Sequence, residues 1–198
     1  MKKPINRFVR RFSVLTGIGL LVLAVLLPLL WQQDVRRAEQ KMQDNAQTIL
    51  SIIPKPQNAV LEERRDNKMP ILSIDGTNFV GILEIPRYGS SLPVCADWES
   101  VSKQPCCLSG SIYDGTMQIG GTTQKGQYDF YREISVGDNV YFTDMEGNRY
   151  AYAVSNIRYE KHADQDTLGR EQAALTLFIK NIYAFEYIII FCNPLDYV

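Results

Sequence analysis

Four cysteines, one histidine and a few paired acids are the residues of this 198-residue chain from which nucleophilic, acid–base or metal chemistry could be built. A single histidine excludes zinc sites that need several imidazoles. It also restricts any Cys–His or Ser–His–Asp mechanism to His162. That residue stands in the polar run Glu160-Lys161-His162-Ala163-Asp164, which reads as a solvated loop with a surface histidine. Asp164 and Asp166 belong to the same run and make a weak pair for hydrolysis. The cysteines are Cys95, Cys106, Cys107 and Cys192; no C-x-x-C occurs, and the adjacent Cys106-Cys107 suits neither metal nor redox work. Four cysteines allow three pairings and the sequence does not choose among them. A structural disulfide is expected before a nucleophilic cysteine, for instance between Cys106 and Cys192. Gly120-Gly121 lacks the following helix and the spacing of a phosphate loop. No metal or cofactor is called for.

The elements that must position these residues divide sharply along the chain. Residues 1–12 carry Lys2, Lys3, Arg7, Arg10 and Arg11 and no acid. Residues 13–31 then run 19 positions without a charge. At ~1.5 Å per residue that reaches across a ~30 Å hydrocarbon core, and Trp31 closes it as an interface anchor. A cleaved signal peptide is the alternative, but the apolar run is long for one and only Trp31-Gln32-Gln33-Asp34 follows it. The cationic flank argues against a buried core helix. The positive-inside rule puts residues 1–12 in the cytoplasm and the chain beyond residue 31 outside the cell membrane, as a single-pass signal anchor. Taking the tail's five cations from the net charge of −1 leaves the exported part at −6. An acidic external domain excludes a nucleic-acid partner.

Residues 32–53 read as a juxtamembrane helix, with Val35, Ala38, Met42, Ala46, Ile49 and Ile53 recurring every three or four positions. Pro54 and Pro56 end it, and residues 54–70 read as a polar linker. From residue 71 the chain turns to short β segments at 71–74, 79–86, 111–113, 140–144, 149–159, 175–180 and 187–192. Asp75-Gly76, Asp114-Gly115, Gly137-Asp138 and Glu146-Gly147-Asn148 supply turns, the last a hairpin. Residues 128–134 suggest one short helix. Seven or eight short strands over 71–198 predict a mainly β domain, closed or nearly closed as a barrel.

Several motifs of this domain, taken in order, resemble the sortases, membrane-anchored cysteine transpeptidases of Gram-positive bacteria. Ile74-Asp75-Gly76, Val80-Gly81-Ile82-Leu83-Glu84-Ile85-Pro86 and Leu92-Pro93-Val94 resemble the opening strands. Pro105-Cys106 and Ser109-Gly110-Ser111-Ile112-Tyr113 resemble the next block. Ser135-Val136-Gly137-Asp138 followed by Val140-Tyr141-Phe142-Thr143-Asp144-Met145-Glu146-Gly147-Asn148 resembles the family's hairpin. Leu175-Thr176-Leu177-Phe178 resembles the start of the motif that ends in the catalytic cysteine. The resemblance covers residues 74–192 and looks closest to the class B and class D-like sortases.

It implies an eight-stranded β-barrel. It also implies a cysteine that attacks a Thr–Gly bond in an LPXTG-like sorting signal, a histidine that moves the proton and an arginine that holds substrate or oxyanion. On this chain the three matching positions are otherwise occupied. Ile119-Gly120-Gly121 is followed by Thr122 where the resemblance asks for histidine. Thr176-Leu177-Phe178-Ile179 ends in Lys180 where it asks for cysteine, and Tyr187 stands seven residues on, where it asks for arginine. None of the three supplies an activated nucleophile or its base. The resemblance therefore implies a catalytically silent, cell-wall-associated pseudoenzyme that still binds a sorting-signal peptide or a surface protein. The alternatives are an active transpeptidase or hydrolase with relocated residues, such as His162 with a cysteine or Lys180 as a desolvated amine, and a chain with no retained role.

Overall fold

The apolar run and the amphipathic run that follows it have no breaker between them, and they form one helix rather than two. In the computed structural model, which describes residues 7–58, 68–162 and 173–195, this helix α1 spans Arg7–Ile52. The chain divides into two units, Met1–Ala38 and Glu39–Val198. In the first, residues 12–30 are exposed on every face, Leu15 and Leu21 among them. This stretch is long and apolar enough to cross a membrane. In the second unit the expected stripe of α1 is sided: Met42, Ala46 and Ile49 are buried, and Ile53 beyond the helix end with them. Pro54 stops the helix because its ring cannot continue the hydrogen-bond ladder.

The second unit is built on ten strands. They are β1 (Gln57–Asn58), β2 (Leu72–Ile74), β3 (Thr77–Ile85), β4 (Ser90–Cys95), β5 (Cys106–Ser109), β6 (Met117–Thr122), β7 (Asn139–Asp144), β8 (Asn148–Glu160), β9 (Leu175–Asn181) and β10 (Glu186–Pro194). Eight of them close a ring. β8, β10, β9, β6, β5, β4 and β3 pair in that order, and β7 pairs with both β3 and β8 to seal it. β1 and β2 add short edges to β8 and β3. The mainly β, eight-stranded barrel is thus the observed fold.

Alternation along the strands sends Leu175, Leu177 and Ile179 of β9, Ile188, Ile190 and Cys192 of β10, and Met117 and Ile119 of β6 into one central core. The intervening residues Phe178, Ile189 and Phe191 pack together on the outer face, with Leu108, Ala173 and Tyr187 half-buried around them. A third cluster sets Ile49 and Ile53 of the helix side against Phe79 and Ile82 of β3. Each fully buried aliphatic or aromatic side chain contributes roughly 1.5–3 kcal/mol relative to exposure.

The turn chemistry explains both successes and departures. Asp75-Gly76 joins β2 to β3 through two residues with positive φ, 48° and 76°, the two-residue turn that suits a hairpin's twist. The hairpin at Glu146-Gly147-Asn148 forms between β7 and β8, and the buried Asp144 carboxylate accepts the Glu146 and Asn148 amides, both at 2.9 Å. Residues 111–113, expected as a strand, form a turn instead. The Asp114 carboxylate accepts the Ser111 and Thr116 amides and so competes with any strand ladder. Residues 128–134, expected as a helix, are successive turns. Tyr128, Phe130, Tyr131 and Ile134 are buried while Asp129, Arg132 and Glu133 are exposed, but the backbone closes isolated three-residue turns, the Tyr131 amide to the Tyr128 carbonyl and the Glu133 amide to that of Phe130, instead of a helical ladder. Of the expected linker, residues 57–58 form β1 and residues 59–67 lie outside the described residues.

The disulfide also differs from the expected pair. Cys95 joins Cys106, with Cα atoms 4.4 Å apart, and Cys107 and Cys192 are free. β4 and β5 run parallel and meet at this one residue pair, so the thiols are adjacent. Cys192 points into the central core, whereas Cys106 lies in the cluster beside the helix, so the two never face one another.

Candidate functional site

Thr122, Lys180 and Tyr187, far apart in sequence, stand side by side in one row across three strands. β6 and β9 are parallel with Thr122 opposite Lys180. β9 and β10 are antiparallel with Lys180 opposite Tyr187. Directly opposed residues share a face, so all three belong to the outer surface that carries Phe178, Ile189 and Phe191. Tyr187 stacks on Phe178, with ring centroids 5.1 Å apart and planes at 21°.

The backbone around the row is tied down on both sides. Thr123 donates its amide to the Lys180 carbonyl at 3.1 Å. The Thr122 hydroxyl accepts the Gln124 amide at 3.3 Å, and the Thr122 amide donates to Oε1 of the buried Gln127 at 3.0 Å. This hydroxyl is engaged in shaping the loop after β6. On the β9–β10 turn, the Asn181 Oδ1 accepts the Tyr183 amide at 3.0 Å, and its Nδ2 donates to Glu186 at 3.0 Å. The turn therefore holds Tyr183 and Phe185 out in solvent, Phe185 at 85% exposure with φ of 52°. Such a φ is unfavourable for a bulky side chain and is maintained by these bonds.

A depression of about 340 Å3 lies along this edge, lined by Lys161, His162, Lys180, Phe185, Glu186 and Tyr187. His162 is exposed, as a loop residue should be, yet it borders the same depression as Lys180 and Tyr187. The reason lies in the pairing: Glu160, two residues earlier, is opposite Tyr187. Asp164 and Asp166 lie outside the described residues. Arg158 is a further cation on this face. It stands opposite Ile189, with its guanidinium 5.4 Å from the centroid of the Phe191 ring. Trp98 covers β6 on this outer face. A Cβ on Gly120 would fall 2.2 Å from its ring, so only glycine lets the indole lie on β6.

Neither free thiol is available to this site. Burial pushes the Cys192 thiol far above its ordinary range, in the central core. Burial also raises Cys107 on β5, although a hydrogen bond involving Ser109 opposes the shift. A protonated thiol is a poor nucleophile, and neither cysteine borders the depression. Among the described residues no group of three or more His, Cys, Asp or Glu side chains is arranged to hold a metal ion.

A larger groove, of about 910 Å3, lies elsewhere, between the 39–50 face of α1 and the segments around Tyr88 and Phe130. Among the described residues, the cation in its lining, Arg87, is already paired, and so is the neighbouring Lys125. Arg87 contacts Asp138 at 2.6 Å and Lys125 contacts Glu39 at 3.3 Å. Burial would raise the Asp138 carboxyl, but hydrogen bonds from Arg87, the Ser135 amide and Tyr88 together hold it below the usual range. The pair fixes the β3–β4 turn and leaves the groove's described lining with acids, Glu39, Asp129 and Glu133, and no free cation, whereas the smaller depression holds the row's Lys180 and Tyr187.

Comparison with solved structures identifies the class of fold. The chain resembles sortase A from Corynebacterium diphtheriae with a TM-score of 0.52 at 15% identity, over 83% of this chain and 85% of that one. It resembles sortase C-3 from Streptococcus pneumoniae equally, 0.52 at 17% identity, over 82% and 84%. For sortase C1 from Streptococcus agalactiae the score is 0.52 at 18% identity, over 64% and 72%. The chain therefore has the sortase fold: a closed eight-stranded barrel, here following a long apolar helix. No protein-family model matches it, and no curated protein matches it in sequence.

Proposed function

We propose that this chain is a membrane-anchored member of the sortase family that has lost transpeptidation and keeps the outer face of β6, β9 and β10 as a peptide-binding surface. The resemblance of its sequence motifs supports a relation to the class B and class D-like members, while the solved structures named above are sortases A and C. The observation that carries the reading is the row Thr122–Lys180–Tyr187. The motif resemblance assigns Thr122 and Lys180 to histidine and cysteine from two separate motifs, with Tyr187 counted seven residues on from Lys180, and the pairing of Thr122 opposite Lys180 supports that assignment. With them adjacent, the row holds no thiolate, imidazole or guanidinium. A hydroxyl bound to its own loop, an amine and a phenol cannot form and resolve a thioacyl intermediate.

The relocated alternatives have less support. His162 has no cysteine beside it, and Lys180 stands exposed at the rim of the depression with no enclosed pocket around its amine. The ligand expected on this face is an extended sorting-signal-like peptide of a surface protein.

The test compares the full chain in detergent micelles with the triple variant Thr122→His, Lys180→Cys, Tyr187→Arg, using a fluorogenic LPXTG-type peptide. The wild-type chain is expected to give no turnover above buffer, and the variant to gain cleavage of at least tenfold over it. Wild-type turnover that disappears in Lys180→Ala would overturn the silent reading. A triple variant that keeps its circular dichroism spectrum and stays inert would remove the peptide-binding half.

A further inference from the structure

Among the described residues, the lining of the depression beside Lys180 carries more positive than negative charge, and its cations have no partners. Lys161, His162 and Lys180 make no hydrogen bond or ion pair among the described residues, although all three border the same 340 Å3 space. The one acid there, Glu186, is occupied by the Asn181 amide at 3.0 Å. Among the described lining residues, two ammonium groups stand against one carboxylate, an excess of one positive charge before the imidazole is counted. Unpaired cations gathered at one concavity attract an anion by adding their fields where it would sit, an attraction that salt weakens because the groups are exposed.

The remaining walls describe what the anion is attached to. Phe185 is held out at the turn by the Asn181 and Thr123 bonds, and Tyr187 is fixed by stacking on Phe178. They give an apolar surface beside the charge, wide enough for a side chain or two. The volume sits at the lower end of the roughly 300–1,000 Å3 range of ligand pockets. The surplus of one positive charge matches a monoanion better than a phosphate dianion.

We infer that this depression binds the free carboxylate end of a peptide chain, with Lys180 and Lys161 holding the carboxylate and Phe185 and Tyr187 packing on the last side chains. The inference rests on the peptide-binding reading and refines it. The occupant would be a chain that already ends at this point, such as a cleaved sorting signal, rather than one that passes through to be cut. An ammonium group at the row's centre can pair with a carboxylate through a charge-assisted hydrogen bond, whereas a carboxamide offers it only a neutral acceptor.

The experiment uses the full chain in micelles and a tetrapeptide Leu-Pro-Ala-Thr made with a free carboxylate or as its carboxamide, with an uncleaved LPXTG-type peptide as a third ligand. Calorimetry is expected to show the carboxylate form binding at least tenfold tighter than the amide. Lys180→Gln and Lys161→Gln, both at exposed positions, should each shrink that ratio by weakening the carboxylate form more than the amide. The single histidine gives one imidazole NMR signal, and acetate alone should shift it, with methyl phosphate no better. Equal binding of acid and amide would overturn the carboxylate inference and leave the peptide-binding reading intact. A preference for methyl phosphate over acetate would overturn it too, by assigning the charge to a dianion. Failure of all three peptides to bind would overturn both readings together.

Discussion

At the scale of single residues, the free thiols and the core phenols set the chain's response to alkali. Burial raises Cys192, Tyr128 and Tyr152, and the Cys192 thiolate would further oppose ionisation of both phenols. Groups that stay protonated in the fold and ionise once unfolded leave the unfolded state with fewer bound protons. Their contribution is complete below the unfolded thiol pKa near ~8.5 and is lost as pH climbs past it. Melting temperature should accordingly fall between pH 8.5 and 10.5, and Cys192→Ala should soften the first part of that decline. Alkylation by iodoacetamide at pH 7.5 should leave Cys192 unmodified until denaturant is added. The three residues of the row were legible as positions in motifs, since motif spacing survives without any knowledge of the fold. The place of His162 was not legible. A loop residue's neighbours across a sheet depend on which strands pair and in which register, and nothing near His162 encodes that Glu160 meets Tyr187.

Among the elements, β6 and the β4–β5 seam are where packing and covalent chemistry decide most. Gly120→Ala drives a methyl into the Trp98 ring. Overpacking of this kind costs about 1–3 kcal/mol. The expected result is a lower denaturation midpoint together with a red-shifted Trp98 emission. A midpoint lowered without the spectral change would place the strain somewhere other than the indole. Reducing the Cys95–Cys106 disulfide, whose ends are 11 residues apart, should cost roughly 3 kcal/mol by the chain-entropy relation. Chemical denaturation with and without reductant measures it directly. The strong strands β3, β7, β8, β9 and β10 were legible because their Val, Ile, Phe and Tyr runs exceed any competing preference. β4, β5 and β6 were hidden from propensity: Pro93, the paired cysteines and Gly120-Gly121 sit where a strand normally has branched or aromatic residues. Motif order, in the form of Leu92-Pro93-Val94, pointed to β4 where composition did not.

For the whole molecule, the division at Ala38 and Glu39 predicts which truncations survive. A chain beginning at Glu39 keeps Met42, Ala46 and Ile49 on the barrel and should melt cooperatively, while one beginning at Pro54 loses that cover. Ile49→Ala, at a position with no exposure, should cost about 2–5 kcal/mol in the Glu39 chain. Deleting residues 1–31 should move the protein from the membrane fraction to the soluble one, and protease added to intact spheroplasts should digest the barrel if the proposed orientation holds. The helical and barrel halves were both legible in outline, through an unbroken apolar run and a succession of short strands. The order of those strands around the ring was not, because β6 lies next to β9 and β8 next to β10 only after the barrel closes.

That order also has a consequence in time. Thr123 and Asn181 are hydrogen bonded across 58 positions, and the parallel ladder beneath them cannot begin until a long intervening stretch has been gathered in. Strand pairings between distant parts of a chain form slowly, commonly over milliseconds to seconds. The complete row therefore has no precursor in any local fragment: the β9–β10 hairpin sets Lys180 against Tyr187, and Thr122 joins them only through the β6–β9 ladder. During refolding, ligand affinity should appear only with the final phase, and a newly made chain remains unable to bind until its last strands, β9 and β10, have been synthesised and have found β6.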